Sequence, residues 1–266
     1  MKYIIKIFIT LMINLFAFSL KAGDDFCGIK NTSFKDGEVV TMKVYYTTLG
    51  MYVAAGEATF SVNVEKYNGK PAYHCVGSGK SFSFFDNFYR VRDRYESYID
   101  TATMLPVKFL RNVNENGTKI YNNVTFNHSA GTAVSTNGVF KISACVQDVV
   151  SAMYYARNIN FDKYKPGDKI PFDMFLDDET FNLYLRYIGK EVIKTRYGKF
   201  NAIKFKPLLV KGTMFKGGEK MEVWVSDDPN HLLLRVESPI VVGSIKVDMM
   251  GYKNLKYPLK SLISLR

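Results

Sequence analysis

The sequence has few of the residues that usually form metal sites and nucleophilic active sites. It contains three histidines and three cysteines in 266 residues. Only His74 and Cys75 are close in sequence, and neighbours on a strand point to opposite faces. Neither a Gly-x-Ser-x-Gly elbow nor a His-Glu-x-x-His pattern occurs. We therefore expect no metal ion and no cofactor, and no catalytic residue can be assigned.

After its N-terminus, the chain has no apolar run long enough to cross a bilayer. The N-terminus combines Lys2, an apolar run from Tyr3 to Leu20, and the small residue Ala22 before a polar stretch. This order is typical of a secretory signal peptide, which we predict at residues 1–22. An uncleaved anchor is the alternative, because the run approaches membrane-spanning length. The signal predicts export to the periplasm or to the periphery of an outer membrane.

The low cysteine count limits the disulfides that an exported chain can form. An oxidising compartment permits one disulfide among the three cysteines and leaves one thiol over. Pairing Cys27 with Cys145 would tie the start of the mature chain to the predicted helix and restrict the unfolded state. Cys75 lies in a strand pattern typical of a small buried side chain. Sequence alone does not fix the connectivity, so other pairings stay open.

Acidic residues are too few to balance the basic ones, and the formal net charge is +11. Removal of residues 1–22 would delete Lys2, Lys6 and Lys21 and no acid, which leaves +8. The basic residues are scattered, and a solvated surface explains such a distribution. Attraction to anionic envelope lipids is the second interpretation. Nucleic acid is not an expected partner of an exported protein.

Helical periodicity is confined to one stretch of the predicted mature chain, Ser143–Arg157. Its apolar residues have the spacing of one buried face, and Ser143 can cap its N-terminus. Elsewhere, short alternating segments are separated by turn signals such as Asn68-Gly69 and Asn116-Gly117. This pattern predicts a mainly β fold, a curved antiparallel sheet (half-barrel or barrel-like) packed around one central helix at about residues 145–157. Without a low-complexity linker, residues 23–266 are predicted to form a single β-rich domain.

Two surface features suggest sites. Phe84, Phe85, Phe88 and Tyr89 make one connection unusually apolar. Core-covering packing would explain them, whereas the functional interpretation is a ligand-pocket rim or a membrane-touching loop. Thr101 follows an aspartate in a predicted turn, a pattern that resembles an envelope O-glycosylation acceptor.

Several short blocks occur in an order that resembles a known family. They include Gly37-Glu38, Ala55–Ala58, Asp148–Ala152 with Arg157 after it, and Val223–Asp228. The order resembles the exported bacterial family called domain of unknown function 3108, over about residues 36–250. The resemblance implies a β-rich exported protein similar to envelope proteins that hold lipid or lipoprotein in a curved sheet. The family supplies no catalytic residues to transfer.

These observations favour a non-catalytic envelope protein that binds lipid or another amphiphile in an apolar cleft between sheet and helix. Peripheral membrane contact and binding to envelope proteins are compatible with this function. A hydrolase acting on envelope glycan or lipid is the first alternative. A scaffold within an envelope complex is the second.

Overall fold

The computed structural model describes residues 27–48, 51–210, 217–240 and 243–266. The predicted signal peptide at residues 1–22 lies outside the described residues. The strands are β1 (Glu38–Thr48), β2 (Met51–Tyr67), β3 (Lys70–Ser81), β4 (Val91–Asp100), β5 (Pro106–Glu115), β6 (Thr118–Asn127), β7 (Thr132–Ser135), β8 (Gly138–Lys141), β9 (Lys169–Leu176), β10 (Glu179–Lys194), β11 (Gly198–Pro207), β12 (Glu222–Ser226), β13 (Leu233–Pro239), β14 (Ser244–Lys253) and β15 (Leu262–Leu265). The helices are α1 (Ser83–Asp86) and α2 (Val149–Ala156), and a 3-10 turn covers Phe161–Lys163.

All these strands belong to one antiparallel sheet, so the predicted mainly β, antiparallel class is confirmed. The strand order is β8-β7-β6-β5-β4-β3-β2-β1-β14-β13-β12-β11-β10-β9, and β15 pairs with β11. The pairing of β1 with β14 joins the two halves of the sheet. Within the described chain no ladder joins β8 to β9, so the sheet is not closed.

Tight turns fix the register of several hairpins, as the sequence predicted. Asn68 and Gly69 connect β2 to β3, and both have positive φ, at 49° and 79°. Asn116 and Gly117 connect β5 to β6 in the same way, with φ of 48° and 91°. Two consecutive positive φ values are what a two-residue hairpin of this kind requires, and Asn-Gly adopts them most easily.

Helix α2 begins later than the predicted residue 145, which corrects the sequence-based boundary. Asp148 is the N-cap: its carboxylate accepts from the backbone N–H groups of Val150 and Ser151, at 2.7 and 2.8 Å. The Ser151 hydroxyl in turn accepts from the Asp148 N–H, which completes a capping box. Gln147, just before the cap, forms an isolated parallel bridge to Met174 of β9. Ser143 therefore does not cap this helix.

The inner face of the curved sheet is filled by the chain's own side chains. On α2, Val150, Tyr154 and Tyr155 are buried, and they belong to one apolar cluster with Phe34 and Phe161. A second cluster lies beneath the C-terminal segment and contains Phe200, Trp224, Leu232 and Met249 with Leu255, Leu259 and Leu262 packed against it.

The two ends of the strand order approach each other through side chains. Arg111 of β5 pairs with Asp177 in the β9–β10 turn. Asn137 in the β7–β8 turn donates to the carboxylate of Asp178 at 2.6 Å. The ring centroid of Phe175 in β9 lies 5.9 Å from that of Phe126 and 6.0 Å from that of Phe140. The sheet thus curls into a barrel-like shape that side-chain contacts bridge at one seam. Of the helices described, none has both the length and the apolar character needed to cross a bilayer.

Candidate functional site

The connection between β3 and β4, residues 82–89, projects from one end of the sheet; we call it the aromatic turn. Its base is fixed by polar contacts around Asp86 of α1. Arg92 donates to Asp86 at 2.6 Å, and the Ser81 hydroxyl donates to the same carboxylate. The Arg92 guanidinium, helped by Ser81, lowers the pKa of Asp86. The Phe82 N–H donates to Ala55 of β2 at 2.9 Å. These contacts hold the turn in a defined position against β2 and β4.

The four aromatic residues expected at a pocket rim divide into two pairs. Phe84 and Phe88 are each 68% exposed, and their ring centroids are 5.7 Å apart. Phe85 is half-buried against Tyr46, at 5.8 Å between centroids. The Tyr89 hydroxyl lies 3.3 Å from the Glu115 carboxylate. Phe85 and Tyr89 therefore anchor the turn, whereas Phe84 and Phe88 face solvent. None of the four lines either of the two clefts described below.

A pair of acids that sequence reasoning missed lies on the inner face of β4 and β5. Burial, with a smaller contribution from the neighbouring Glu115, raises the pKa of Asp93 to about 6, although a hydrogen bond from the Asn114 N–H acts in the opposite direction. Burial also raises the pKa of Tyr95 to about 12, with a contribution from Asp93. The available signal was the alternation that places Asp93 and Tyr95 on one face of β4.

This acid pair does not have the geometry of a glycosidase site. Asp93 and Glu115 are in hydrogen-bonding contact with each other. Glycosidases hold their two carboxyl groups roughly 5–9.5 Å apart, to admit either the sugar or a water molecule. Neither acid lines one of the two clefts. The arrangement is therefore one contacting pair of acids rather than two separate catalytic groups.

The polar residues around α2 are engaged with one another. The Ser97 hydroxyl donates to Asp148 at 2.6 Å, and burial raises the pKa of Asp148 to about 6. Arg157, which follows α2, pairs with Glu38 at the start of β1. Its carbonyl also accepts from the Ser33 hydroxyl at 2.6 Å. These contacts fix the helix and the N-terminal segment against the sheet.

The cysteines and Thr101 occupy the following places. Cys27 and Cys145 form a disulfide with Cα atoms 5.5 Å apart. Cys75 is free and buried, and burial raises the pKa of its thiol well above the usual range. Thr101 lies in the turn after β4, half-buried, and its hydroxyl donates to Pro71 at 3.3 Å. Glycosylation of Thr101 stays a prediction.

A cleft of about 330 Å³, which we call the basic cleft, lies beside β1, β13 and β14 at the tip of the β10–β11 hairpin. Five of its lining residues are cationic: Lys194, Arg196, Arg235, Lys246 and Arg266. A second cleft of about 250 Å³ adjoins it and shares Tyr52 and Lys246. The sequence did not predict either cleft, because their linings come from strands that are distant in the chain.

Comparison with known families now adds to this geometry. The model of the family described as a protein of unknown function, DUF3108, matches residues 41–250. The chain belongs to this family. The resemblance inferred from the sequence is therefore confirmed. The family description assigns no activity, and no curated protein matches the chain.

Among solved structures, the DUF3108 chain resembles a β-barrel-like protein of domain of unknown function DUF1849 from Brucella abortus. The TM-score is 0.56 at 7% identity, covering 85% of this chain and 100% of the other. That likeness supports the fold alone. A protein from Parabacteroides distasonis described as a putative lipoprotein has a TM-score of 0.36 at 14% identity, over 84% of this chain and 100% of its own. The TM-score of this second match is too low to support a conclusion about this chain.

Proposed function

We propose that this DUF3108 protein is an exported, non-catalytic module that binds anionic amphiphiles at the surface of the cell envelope. The observation that carries the proposal is the pair of exposed phenylalanines, Phe84 and Phe88, on a turn whose base is fixed. Lipid and the membrane surface are the proposed partners. The periplasm, or the periphery of an outer membrane, is the proposed location.

The aromatic turn has the properties of a membrane-contacting element. Burying one phenylalanine side chain completely contributes about 1.5–3 kcal/mol. Because Phe84 and Phe88 are each 68% exposed, inserting both would contribute about 2–4 kcal/mol. Arg90, at the end of the turn, is exposed and basic, and a cation near an anionic surface adds about 1 kcal/mol. An aromatic tip with a basic flank suits the boundary between acyl chains and headgroups.

The surface is favoured over the interior as the place of binding. The sequence suggested an apolar cleft between sheet and helix, but Tyr154 and Tyr155 of α2 fill that space together with Phe34 and Phe161. All four side chains are at most 4% exposed. A ligand in the interior would have to displace this packing, and each large apolar side chain driven out of the core would lose about 1.5–3 kcal/mol of burial energy. The aromatic turn requires no such rearrangement.

Flotation with lipid vesicles tests the proposal. Wild-type mature protein should bind vesicles of phosphatidylcholine containing phosphatidylglycerol, and binding should weaken with salt. The variant Phe84→Ser/Phe88→Ser should lose at least about tenfold in partitioning, because it loses the insertion energy. Tyr121→Ser is the matched control, since Tyr121 is 60% exposed but lies on β6. A wild-type protein that does not float, or a double variant that binds normally, would refute the proposal.

A further inference from the structure

We infer that the basic cleft binds a compact anionic group of phosphate type. The inference deepens the proposed function, on which it rests for the amphiphile that carries the group, but not for the anion itself. Three observations support it: the charge of the lining, the absence of neutralising partners, and the fixed position of one guanidinium.

The lining of the cleft has a large excess of positive charge. Five cationic side chains face one carboxylate, Asp248. Asp248 is 2% exposed, and Arg235 engages both of its oxygens, at 2.6 and 3.0 Å. Its Oδ2 atom also accepts from the Arg196 backbone N–H at 3.3 Å. The single acid is therefore fully occupied at the floor and cannot neutralise the other cations.

Three cations of the cleft have no acidic partner among the residues that the structure describes: Lys194, Arg196 and Arg266. Lys246 differs, because it pairs with Glu237 at 2.8 Å. All three unpaired side chains are exposed, so they reach solvent in the cleft. Like charges brought together in a concave site raise its local potential and attract an anion.

Arg196 is held in a fixed position before any ligand arrives. Its guanidinium lies over the ring of the buried Tyr45, 5.1 Å from the centroid. The hydrogen bond from its N–H to Asp248 fixes the backbone at the same point. A stacked guanidinium presents its N–H groups in a planar fork that suits phosphate and carboxylate oxygens, and little entropy is lost on binding.

The adjoining cleft restricts the size of the anion. Beyond the shared residues Tyr52 and Lys246 its lining includes two acids, Glu222 and Glu237. Glu222 pairs with Lys204 and Lys206, each at 3.0 Å. The positive excess therefore ends near Tyr52, which is 58% exposed. A long polyanion would pass from a cationic to a mixed surface, whereas a compact anionic group fits the basic cleft alone.

The cleft and the aromatic turn are linked through consecutive residues of β1. Tyr45 lines the cleft, and Tyr46 packs against Phe85 of the turn with centroids 5.8 Å apart. Tyr52 of β2, which lies opposite Thr47 of β1, also lines the cleft. The cleft and the aromatic turn thus lie near the same end of β1 but on opposite faces of it, because neighbouring strand residues point to alternate faces. The inference of an anion site therefore rests on the cleft itself.

Titration of the mature protein with two soluble probes tests the inference. Inorganic phosphate and short-chain phosphatidylglycerol, below its micellar concentration, are added separately while NMR shifts and binding heat are recorded. Wild type should bind at least one probe, with shifts at Tyr45, Arg196 and Tyr52. Arg196→Glu should weaken binding at least about tenfold, because it replaces an attractive charge by a repulsive one. Lys194→Ala should weaken it less.

A control variant and the pattern of outcomes distinguish failure of the anion site from failure of the proposed function. Lys70→Glu is the matched control, because Lys70 is exposed at the start of β3, outside the cleft. Binding of phosphate alone supports an anion site for a soluble ligand, and stronger binding of the phospholipid supports a headgroup site. Failure of both probes, or equal binding by Arg196→Glu and wild type, overturns the inference. If phosphate binds but wild type does not bind vesicles, the proposed function fails and the anion site stands.

Discussion

The ion pair between Glu38 and Arg157 is the contact whose loss should be most damaging to α2. Glu38 is 1% exposed and the Arg157 side chain 11%. The pair is bidentate, with Nη2 and Oε2 3.1 Å apart. Arg157 also donates to the Asn230 carbonyl at 3.0 Å, and its guanidinium lies 5.3 Å from the Phe34 ring centroid. The side chain of Arg157, the residue after α2, thus contacts β1, the N-terminal segment and the loop before β13.

The expected cost follows from the burial of the pair. Glu38→Ala leaves a guanidinium without its anion in an apolar setting, which typically costs about 3–5 kcal/mol. The matched control is Asp162→Ala, which breaks the exposed pair between Asp162 and Lys190. Those side chains are 76% and 42% exposed, so the control should cost at most about 1 kcal/mol.

Urea unfolding followed by circular dichroism measures both costs, provided that the slope of the free energy of unfolding against urea concentration is the same for wild type and variants. Glu38→Leu/Arg157→Met removes both charges and replaces them with apolar side chains. Its loss of stability should be smaller, by about 2 kcal/mol or more, than the sum of the losses caused by Glu38→Leu alone and Arg157→Met alone. Each single variant leaves one buried charge without its partner, whereas the double variant leaves none. A cost of Glu38→Ala below that of Asp162→Ala, or strictly additive changes, would refute the reasoning.

Two further predictions concern α2 and its surroundings. Cys27→Ser/Cys145→Ser should lower the free energy of unfolding by up to about 5 kcal/mol, because the cysteines are 118 residues apart; equal urea midpoints for oxidised and reduced wild type would contradict this. Burial raises the pKa of Asp148 to about 6, so wild-type stability should fall as pH rises from about 4 to about 6. Asp148→Asn should remove about 3 kcal/mol of that dependence in urea unfolding, and parallel pH profiles would argue against it.

Local patterns predicted the strands and turns well, because those features depend on neighbouring residues. Asn68-Gly69 and Asn116-Gly117 carry the positive φ values of their hairpins within two residues. The start of α2 could not be predicted in this way. Gln147 lies between Val146 and Val149, inside the helix-like spacing, yet its N–H donates to the Asp173 carbonyl at 2.9 Å and its own carbonyl accepts from the Phe175 N–H at 2.8 Å. A contact with a strand more than twenty residues away decides the boundary.

The aromatic turn and the basic cleft also differ in how far the sequence could predict them. Phe84 and Phe88 are only four residues apart in an unusually apolar connection that the sequence shows directly, although only the structure gives their exposure. The basic cleft brings together Tyr45, Arg196 and Arg266, and it depends on the pairing of β1 with β14. That pairing has a sequence separation of about 200 residues, and alternation of side chains does not specify which strands become neighbours.

The state of the buried carboxylates favours binding over catalysis. Asp228 accepts from the Ser226 hydroxyl, the Asn230 N–H and the Ser261 N–H, each at 3.0 Å. Asp248 is occupied by Arg235, and Asp148 caps α2. A general acid or base must reach the substrate directly or through one water, whereas these acids are already engaged in holding the fold. Among the residues that the structure describes, those of the aromatic turn and the basic cleft offer a ligand apolar area and positive charge at the surface.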